Sequence, residues 1–219
     1  MRPDQGVSEA MYRPPAFRED RLDILHDAIR AHPLGTLITG GPSGLIANVL
    51  PFSLRADPGG DVLRAHLAKA NEQIVDLRAG TPALVMFQGP QAYVSPSWYP
   101  TKQDHGKVVP TWNYVIVQAW GTPAIIDDSK WVLDQIGELT AAHESERPEP
   151  WNVTDAPETF IAAQLKGIVG LELPIERIKG KWKTSQNQPE PNRLGVIDGL
   201  RRDGHHALAD AVSAQATGR

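Results

Sequence analysis

Residues 88–120 read QGPQAYVSPSWYPTKQDHGKVVPTWNYVIVQAW, and they are the most informative part of the sequence about its fold. It ends in the apolar run Tyr114–Trp120, and a similar run covers Pro82–Gln88. Such continuous runs are typical of strands that are buried on both faces. The segment between them interleaves Trp and Tyr with hydroxyls and amides, which suits a planar heteroaromatic ligand. The alternative is that these aromatics fill a small barrel core and a dimer contact.

Further strands and helices are predicted on either side of this stretch. Leu34–Thr39 and Leu45–Leu54 flank the turn Gly-Gly-Pro-Ser-Gly and predict a β-hairpin, followed by a third strand over Asp61–Leu67. Two later strands are expected over 167–173 and 175–182, and helices over 19–31, 70–79, 128–143, 157–165 and from 192 onward. Strands joined by turns, with most helices late in the chain, predict a barrel-like α+β fold.

The composition excludes several classes of protein. The chain has 219 residues, 22 Lys+Arg against 26 Asp+Glu and a net charge of −4. This balance opposes a broad basic face for nucleic acid. Cysteine is absent, which excludes disulfides, thiolate metal sites and cysteine nucleophiles. No apolar run approaches the ~18 residues of a membrane span, and residues 1–10 lack the apolar core of a signal peptide. A soluble cytoplasmic protein is expected.

Three parts of the chain are expected from this pattern. Residues 1–10 are polar and predict a disordered, dispensable extension. Residues 11–200 form the main domain, and residues 201–219 form a C-terminal helix and tail.

Common catalytic and metal-binding motifs are missing. The Gly-Gly-Pro-Ser-Gly turn has neither the glycine spacing nor the Lys-Ser/Thr of a phosphate-binding loop. His143-Glu144 begins like a zinc protease motif, but Arg147 stands where the second histidine is needed. His205 and His206 are adjacent on a predicted helix and diverge. The sequence therefore predicts no metal site and no catalytic residue.

Two further polar segments could meet a phosphorylated planar ligand. At His66–Asn71 a strand gives way to a helix, where free backbone N–H groups and Lys69 suit a phosphate. A solvated lysine beside an ordinary helix cap is the alternative. Lys181–Asn187 offers amide donors and acceptors for the edge of a ring, or forms a solvated polar turn.

These segments resemble the PaiB family of FMN-binding negative transcriptional regulators. The resemblance rests on Met11-Tyr12 with Pro14 and Phe17, Leu84–Pro90 with Ala92-Tyr93, Ser97–Tyr99, Val109–Tyr114, Leu165–Gly170 and Lys183–Asn187. It implies an antiparallel, Greek-key-like, FMN-binding split β-barrel with flanking helices, similar to the pyridoxamine 5′-phosphate oxidase fold. It also implies a homodimer, with FMN between the subunits, and a role in repressing transcription.

The resemblance also implies which residues bind FMN. Lys69 and Asn71 would face the phosphate. The ring and the ribityl chain would be bordered by residues from two segments: Thr111, Trp112, Asn113, Trp182, Lys183, Ser185, Gln186 and Asn187. Two departures from the pattern stand out. Residues 101–108 look like an insertion, and the Arg-Lys pair of oxidase-type barrels is reduced to Lys69 followed by Ala70.

Three functions remain open on the sequence. A regulator could contact promoter DNA through the alternating row Arg177, Lys179, Lys181 and Lys183, although a solvated strand edge explains that row equally well. A flavin-dependent reductase or oxidase is the alternative on the same fold. The third interpretation is a binding protein whose pocket has lost FMN or holds another planar molecule such as haem.

Overall fold

The computed structural model describes residues 11–57 and 59–216. The expected extension 1–10 lies outside the described residues. The strands are β1 (Arg18–Glu19), β2 (Leu34–Gly41), β3 (Gly44–Pro51), β4 (Ser53–Asp57), β5 (Gly60–Ala68), β6 (Ala83–Val94), β7 (Thr111–Gly121), β8 (Ala124–Ile126), β9 (Ile168–Pro174) and β10 (Arg177–Lys183). The helices are α1 (Leu22–Ala31), α2 (Gln73–Arg78), α3 (Lys102–His105), α4 (Ser129–Glu144), α5 (Glu158–Leu165), α6 (Glu190–Arg202) and α7 (His206–Ala216).

The strands form two sheets. One has the order β1-β10-β7-β6-β2-β3, and the other has the order β4-β5-β9-β8. The expected hairpin is present, because β2 pairs antiparallel with β3 from Leu34 opposite Pro51 to Gly41 opposite Gly44. Strands β5 and β9 are also antiparallel. The predicted α+β fold with antiparallel strands is confirmed.

The segment expected as one strand over Leu45–Leu54 is instead divided between the sheets. The break falls at Phe52, whose backbone N–H donates to the carbonyl of Pro33 at 2.9 Å rather than to a neighbouring strand. Its side chain is 1% exposed and meets the ring of Phe87 edge-on at 5.7 Å. Burial of one aromatic side chain thus overrides the continuous strand pattern.

The burial of β7 also differs from the expectation. Its residues alternate between buried and at least partly exposed, so only one face is fully covered within the chain. An apolar run does not distinguish a strand covered by its own chain from one that keeps a half-exposed face.

The helices lie near their predicted positions, but α1 begins at Leu22 because Glu19 pairs in β1, α2 begins at Gln73, and α3 was not predicted. Asp128 caps α4 by accepting from the backbone N–H groups of Lys130 at 2.8 Å and Trp131 at 3.4 Å. Gly204 separates α6 from α7 with a φ of +83°, a conformation that favours glycine. In the part of the chain that the structure describes, no helix is long and apolar enough to cross a membrane.

The chain divides into two compact units. The first unit comprises residues up to Leu25, Gln88–Val117 and residues from Lys179 onward; the second comprises His26–Phe87 and Gln118–Ile178. The core of the first unit joins β6 to the two C-terminal helices through Ala92, Val94, Tyr99, Val196, Ile197, Leu200, Leu208, Ala209 and Val212. In the second unit, Leu63 and Ala65 of β5 lie opposite Leu173 and Leu171 of β9, and all four are fully buried.

Candidate functional site: a polar cluster after strand β10

The turn that follows β10 is held by its own polar side chains. Ser185 has a φ of +63°, and no other non-glycine residue in the described ranges has a positive φ. Gln186 braces the turn: its Oε1 accepts from the backbone N–H of Thr184 at 2.8 Å, and its Nε2 donates to the carbonyl of Trp182 at 2.6 Å. The Gln186 amide expected to meet a ring is therefore already used within the turn.

Two side-chain hydrogen bonds tie this turn to the start of β7. Asn113 is 1% exposed, and its Nδ2 donates to Ser185 Oγ at 2.8 Å. Lys183 Nζ donates to Thr111 Oγ1 at 2.5 Å. We call Thr111, Asn113, Lys183, Thr184 and Ser185 the Lys183 cluster. Four of its five members were expected at the site from the sequence.

The Lys183 cluster keeps two polar groups available. The hydroxyl of Thr184 is fully buried and has no hydrogen-bond partner among the described residues. The half-buried ammonium of Lys183 has no carboxylate within 4.0 Å in the same part of the chain. Buried polar groups are normally paired, so an orphaned hydroxyl beside an unneutralised cation favours an anionic or hydrogen-bonding ligand.

The two tryptophans expected at the site differ in exposure. Trp112 is 48% exposed, donates through its indole nitrogen to Gln91 Oε1, and meets the ring of Tyr93 edge-on at 6.1 Å. Trp182 is only 8% exposed. Trp112 therefore offers an accessible ring for stacking, whereas Trp182 is mainly part of the core of the first unit.

Lys69 and Asn71 lie in the second unit. The side chain of Lys69 is exposed and forms no ion pair with a described carboxylate, and its backbone N–H donates to the carbonyl of Gly167 at 2.8 Å. Asn71 Oδ1 accepts from the backbone N–H of Gln73 at 3.0 Å. The backbone N–H groups of Asn71 and Ile74 are bonded as well. The expected free N–H groups at this junction are thus mostly occupied.

The structure brings one part of the predicted site together. Thr111 and Asn113 contact Lys183 and Ser185 within the first unit. Asn187, in the same turn, is exposed. The role of each of these residues, and of Lys69 and Asn71, in binding FMN stays a prediction.

The basic side chains on β10 each contact another group of the same chain. Arg177 lies over the ring of Trp120 at 4.2 Å, and Lys179 is 3.5 Å from Asp20. Lys181 donates to the carbonyl of Tyr12 at 2.9 Å. The alternating residues are half-buried while Gly180 and Trp182 between them are buried, so the predicted strand periodicity is present.

Two features of the first unit were not predicted from the sequence. Nothing in the run Lys-Thr-Ser-Gln-Asn distinguishes the buried, unpartnered Thr184 from its neighbours. Tyr99 is 4% exposed and lines a cavity formed by chain segments about 90 residues apart in sequence. A local pattern carries no signal for either, because both depend on which segments pack together.

Comparisons with known proteins identify the family. A family model described as "Putative FMN-binding domain" matches residues 11–177. An uncharacterized protein of Emericella nidulans is 37% identical over 90% of this chain and 93% of its own. The "Protease synthase and sporulation protein PAI 2" of Bacillus subtilis is 29% identical over 88% of this chain and 90% of its own.

A solved structure shows the same fold. The FAD and haem binding protein from Mycobacterium smegmatis superimposes with a TM-score of 0.57 at 18% identity, over 76% of this chain and 73% of its own. The split β-barrel predicted from the sequence is confirmed, and FMN is the cofactor that the family match supports. The chain belongs to the FMN-binding domain family, among the PaiB-like flavoproteins that its sequence resembles.

Proposed function

We propose that this protein is an FMN-binding regulator of transcription of the PaiB type. The family match over residues 11–177 is the observation that supports FMN as the cofactor. The regulatory role is supported by the similarity to PAI 2, which extends over most of both chains.

The residues of the Lys183 cluster fit FMN. The phosphate of FMN is close to a dianion at neutral pH, because the second pKa of such groups is about 6. Lys183 supplies the one full positive charge of the cluster, and Thr111 supplies a hydroxyl beside it. The orphaned hydroxyl of Thr184 would gain a partner on the ligand. When bound, FMN supplies hydride and one-electron chemistry.

Lys183 is the phosphate partner that we favour over Lys69. A half-buried ammonium interacts more strongly with an anion than an exposed one, because solvent screens the exposed charge more fully. The backbone N–H groups that would have assisted Lys69 are largely occupied. A phosphate site at Lys69 and Asn71, as the sequence predicted, is the alternative to this assignment, and the same titration tests both lysines.

The remaining residues would position the isoalloxazine ring. Trp112 offers an exposed aromatic face, and the exposed amide of Asn187, which bonds to no described side chain, can both donate and accept at the edge of a ring. Asn113 and Gln186 would support the ring site indirectly, because their amides hold Ser185 and the turn in place.

A cytoplasmic homodimer belongs to the same proposal. Strand β3 is at an edge of its sheet, and its outward side chains include Leu45 at 83% and Val49 at 58% exposure. An exposed apolar row on an edge strand favours pairing or packing with another chain. A second copy would cover this surface.

One observation favours a flavin-dependent oxidoreductase as the second candidate. Each of Arg177, Lys179, Lys181 and Lys183 already contacts a group within the chain. Lys179 is already paired with a carboxylate, so the row offers less unneutralised charge to DNA phosphates than its spacing suggested. Phosphate contacts supply a large share of the affinity of a DNA-binding regulator.

An electrophoretic shift assay separates the two candidates. The protein, with and without added FMN, is titrated into genomic fragments that include the region upstream of its own gene. A regulator shifts a subset of fragments at submicromolar concentration in 150 mM salt, and unselected DNA competes poorly. The absence of any selective shift, together with FMN-dependent consumption of NADH or NADPH, would overturn the regulatory proposal in favour of the enzyme.

A further inference from the structure

The first unit contains a cavity whose lining residues are separate from the proposed FMN ligands. The cavity has a volume of about 240 Å³ and lies between the segment 99–109 and the start of α6. Its polar lining residues are Tyr99, Thr101, His105, Lys107, Gln188 and Asn192. Among the described residues, no carboxylate lines it.

Internal hydrogen bonds fix the orientation of both amides at this cavity. The backbone N–H of Thr101 can only donate, and it points to Asn192 Oδ1 at 3.4 Å; the Thr101 hydroxyl donates to the same oxygen at 3.0 Å. Asn192 must therefore present its Nδ2 to Gln188 Oε1, at 3.1 Å. The acceptor oxygens of both amides are occupied, and Gln188 Nε2 is left as a donor.

A second internal bond fixes the ring of His105. The backbone N–H of Lys107 donates to His105 Nδ1 at 3.0 Å. In the neutral imidazole the proton is therefore on Nε2, which makes that nitrogen a donor. The acceptor nitrogen of His105, Nδ1, is therefore already used within the chain.

The remaining polar groups at the cavity also donate. Lys107 carries a full positive charge and has no ion-pair partner in the described ranges. The side chain of Tyr99 is 4% exposed, and its hydroxyl has no hydrogen-bond partner among the described residues. Burial raises the pKa of Tyr99, so the hydroxyl keeps its proton at neutral pH.

We propose that this cavity binds a small monocarboxylic acid with a short apolar body. Four groups that can donate, on Tyr99, His105, Lys107 and Gln188, line this cavity without a hydrogen-bond partner among the described residues, and one of them is a full cation. The amide and imidazole acceptors beside them are already used within the chain. Val108, Val109 and Pro189 supply an apolar wall for the rest of the ligand. The volume is below the ~300 Å³ at which drug-sized ligand pockets begin, which suits a small molecule. The site does not depend on FMN.

Calorimetric titration of the full-length protein with benzoate tests this proposal. Benzamide, its neutral analogue, isolates the contribution of the carboxylate charge. We expect benzoate to bind with a dissociation constant below about 1 mM, and benzamide at least tenfold more weakly, about 1.4 kcal/mol. Equal binding of the two compounds, or tighter binding of inorganic phosphate than of benzoate, would overturn the proposal.

Single variants locate the binding to the cavity. Lys107→Gln and Tyr99→Phe should each weaken benzoate about tenfold, since each removes one donor. Lys102→Gln is the matched control, because Lys102 is an exposed lysine on α3 that does not line the cavity. An equal loss in Lys102→Gln would mean that benzoate responds to surface charge alone and would refute the site.

Competition with FMN separates this site from the flavin site. Saturating benzoate should leave the FMN dissociation constant unchanged within about twofold. Direct competition between benzoate and FMN would show that the cavity is part of the flavin site, and it would overturn the proposal of a separate carboxylate site. If the protein fails to bind FMN at all, the benzoate titrations still decide the proposal.

Discussion

Among single residues, Thr184 allows the most specific prediction, because its hydroxyl should affect both the stability of the protein and its affinity for FMN. It is fully buried and has no partner among the described residues. An unsatisfied buried hydroxyl costs about 1–3 kcal/mol, so the isosteric change Thr184→Val should raise the melting temperature of the flavin-free protein. The same change should weaken FMN binding about tenfold, because the ligand loses a hydrogen bond.

Thermal melts and FMN titrations of Thr184→Val check both effects. Thr122→Val is the control, since Thr122 is exposed and lies in the loop after β7. A lower melting temperature without a change in FMN affinity would contradict the assignment of this hydroxyl to the ligand.

The ion pair of Arg13 and Asp20 gives a pH-dependent contribution to stability. The Arg13 guanidinium, 2.7 Å from the carboxylate, holds the pKa of Asp20 below its ordinary value of 3.8. Because the unfolded chain then binds protons more readily than the folded one, the pair stabilises the fold above the unfolded pKa. The contribution is lost as the pH falls through the lower, folded pKa.

Asp20→Asn removes this contribution. At pH 7 it should destabilise the protein by up to about 1 kcal/mol, the upper end for a pair with one exposed partner, and by less at pH 2. Urea melts at both pH values check the difference. Asp104→Asn is the control, because the Asp104 side chain is exposed and makes no hydrogen bond in the described part of the chain. A pH-independent loss in Asp20→Asn would contradict the electrostatic cause.

The residue types at the site were predictable from the sequence, but their partners were not. Asn113, Lys183 and Ser185 were singled out by their polar character in a strand context, and the structure brings them together. Gln186 was expected to border a ring, and the structure adds that its amide closes the turn. Which partner a side chain takes depends on the approach of distant segments, and local composition does not record it.

At the scale of elements, α6 docks on the segment around Trp98 through two glycines. A Cβ on Gly195 would clash with the backbone carbonyl of Trp98, and one on Gly199 would clash with its ring. Gly195→Ala should therefore destabilise the protein by about 1–3 kcal/mol, the usual cost of overpacking.

Gly137→Ala in α4 is the matched control for this change. Nothing lies within 4 Å of the Cβ that it would add, so alanine should stabilise the protein by about 0.5–1 kcal/mol through helix propensity. Denaturant melts of both variants measure the opposite signs. Stabilisation by Gly195→Ala would show that α6 is not packed closely on Trp98.

Element positions followed from the sequence wherever a local signal existed. The cap at Asp128, the turn between β2 and β3 and the break at Gly204 all lie where the residue types placed them. The division of one expected strand at Phe52 did not follow, because it depends on the contact of that ring with Phe87.

At the scale of the whole molecule, the proposed homodimer predicts the mass in solution. Light scattering at micromolar concentration should give about twice the 23.9 kDa of one chain. Val49→Lys should shift the equilibrium toward the monomer, because a charge on an exposed edge strand opposes pairing. A mass near 23.9 kDa for the unmodified protein would contradict the dimer.

The fold class of the molecule was predictable because its evidence is spread along the chain. Alternating runs, turns and capping residues each specify one element, and together they restrict the topology. The cavity beside Tyr99 was not predictable, because it forms only where the segment 99–109 meets Gln188 and Asn192.

A fluorescence titration of FMN against riboflavin, which lacks the phosphate, tests whether Lys183 binds the FMN phosphate. Lys183→Ala should weaken FMN about 30- to 1000-fold, the loss expected when a partly buried charge partner is removed, and change riboflavin affinity little. Lys183→Arg should keep much of the FMN binding, and Lys69→Ala should bind FMN like the unmodified protein. Loss of FMN in Lys69→Ala with full binding in Lys183→Ala would contradict the account and place the phosphate at Lys69.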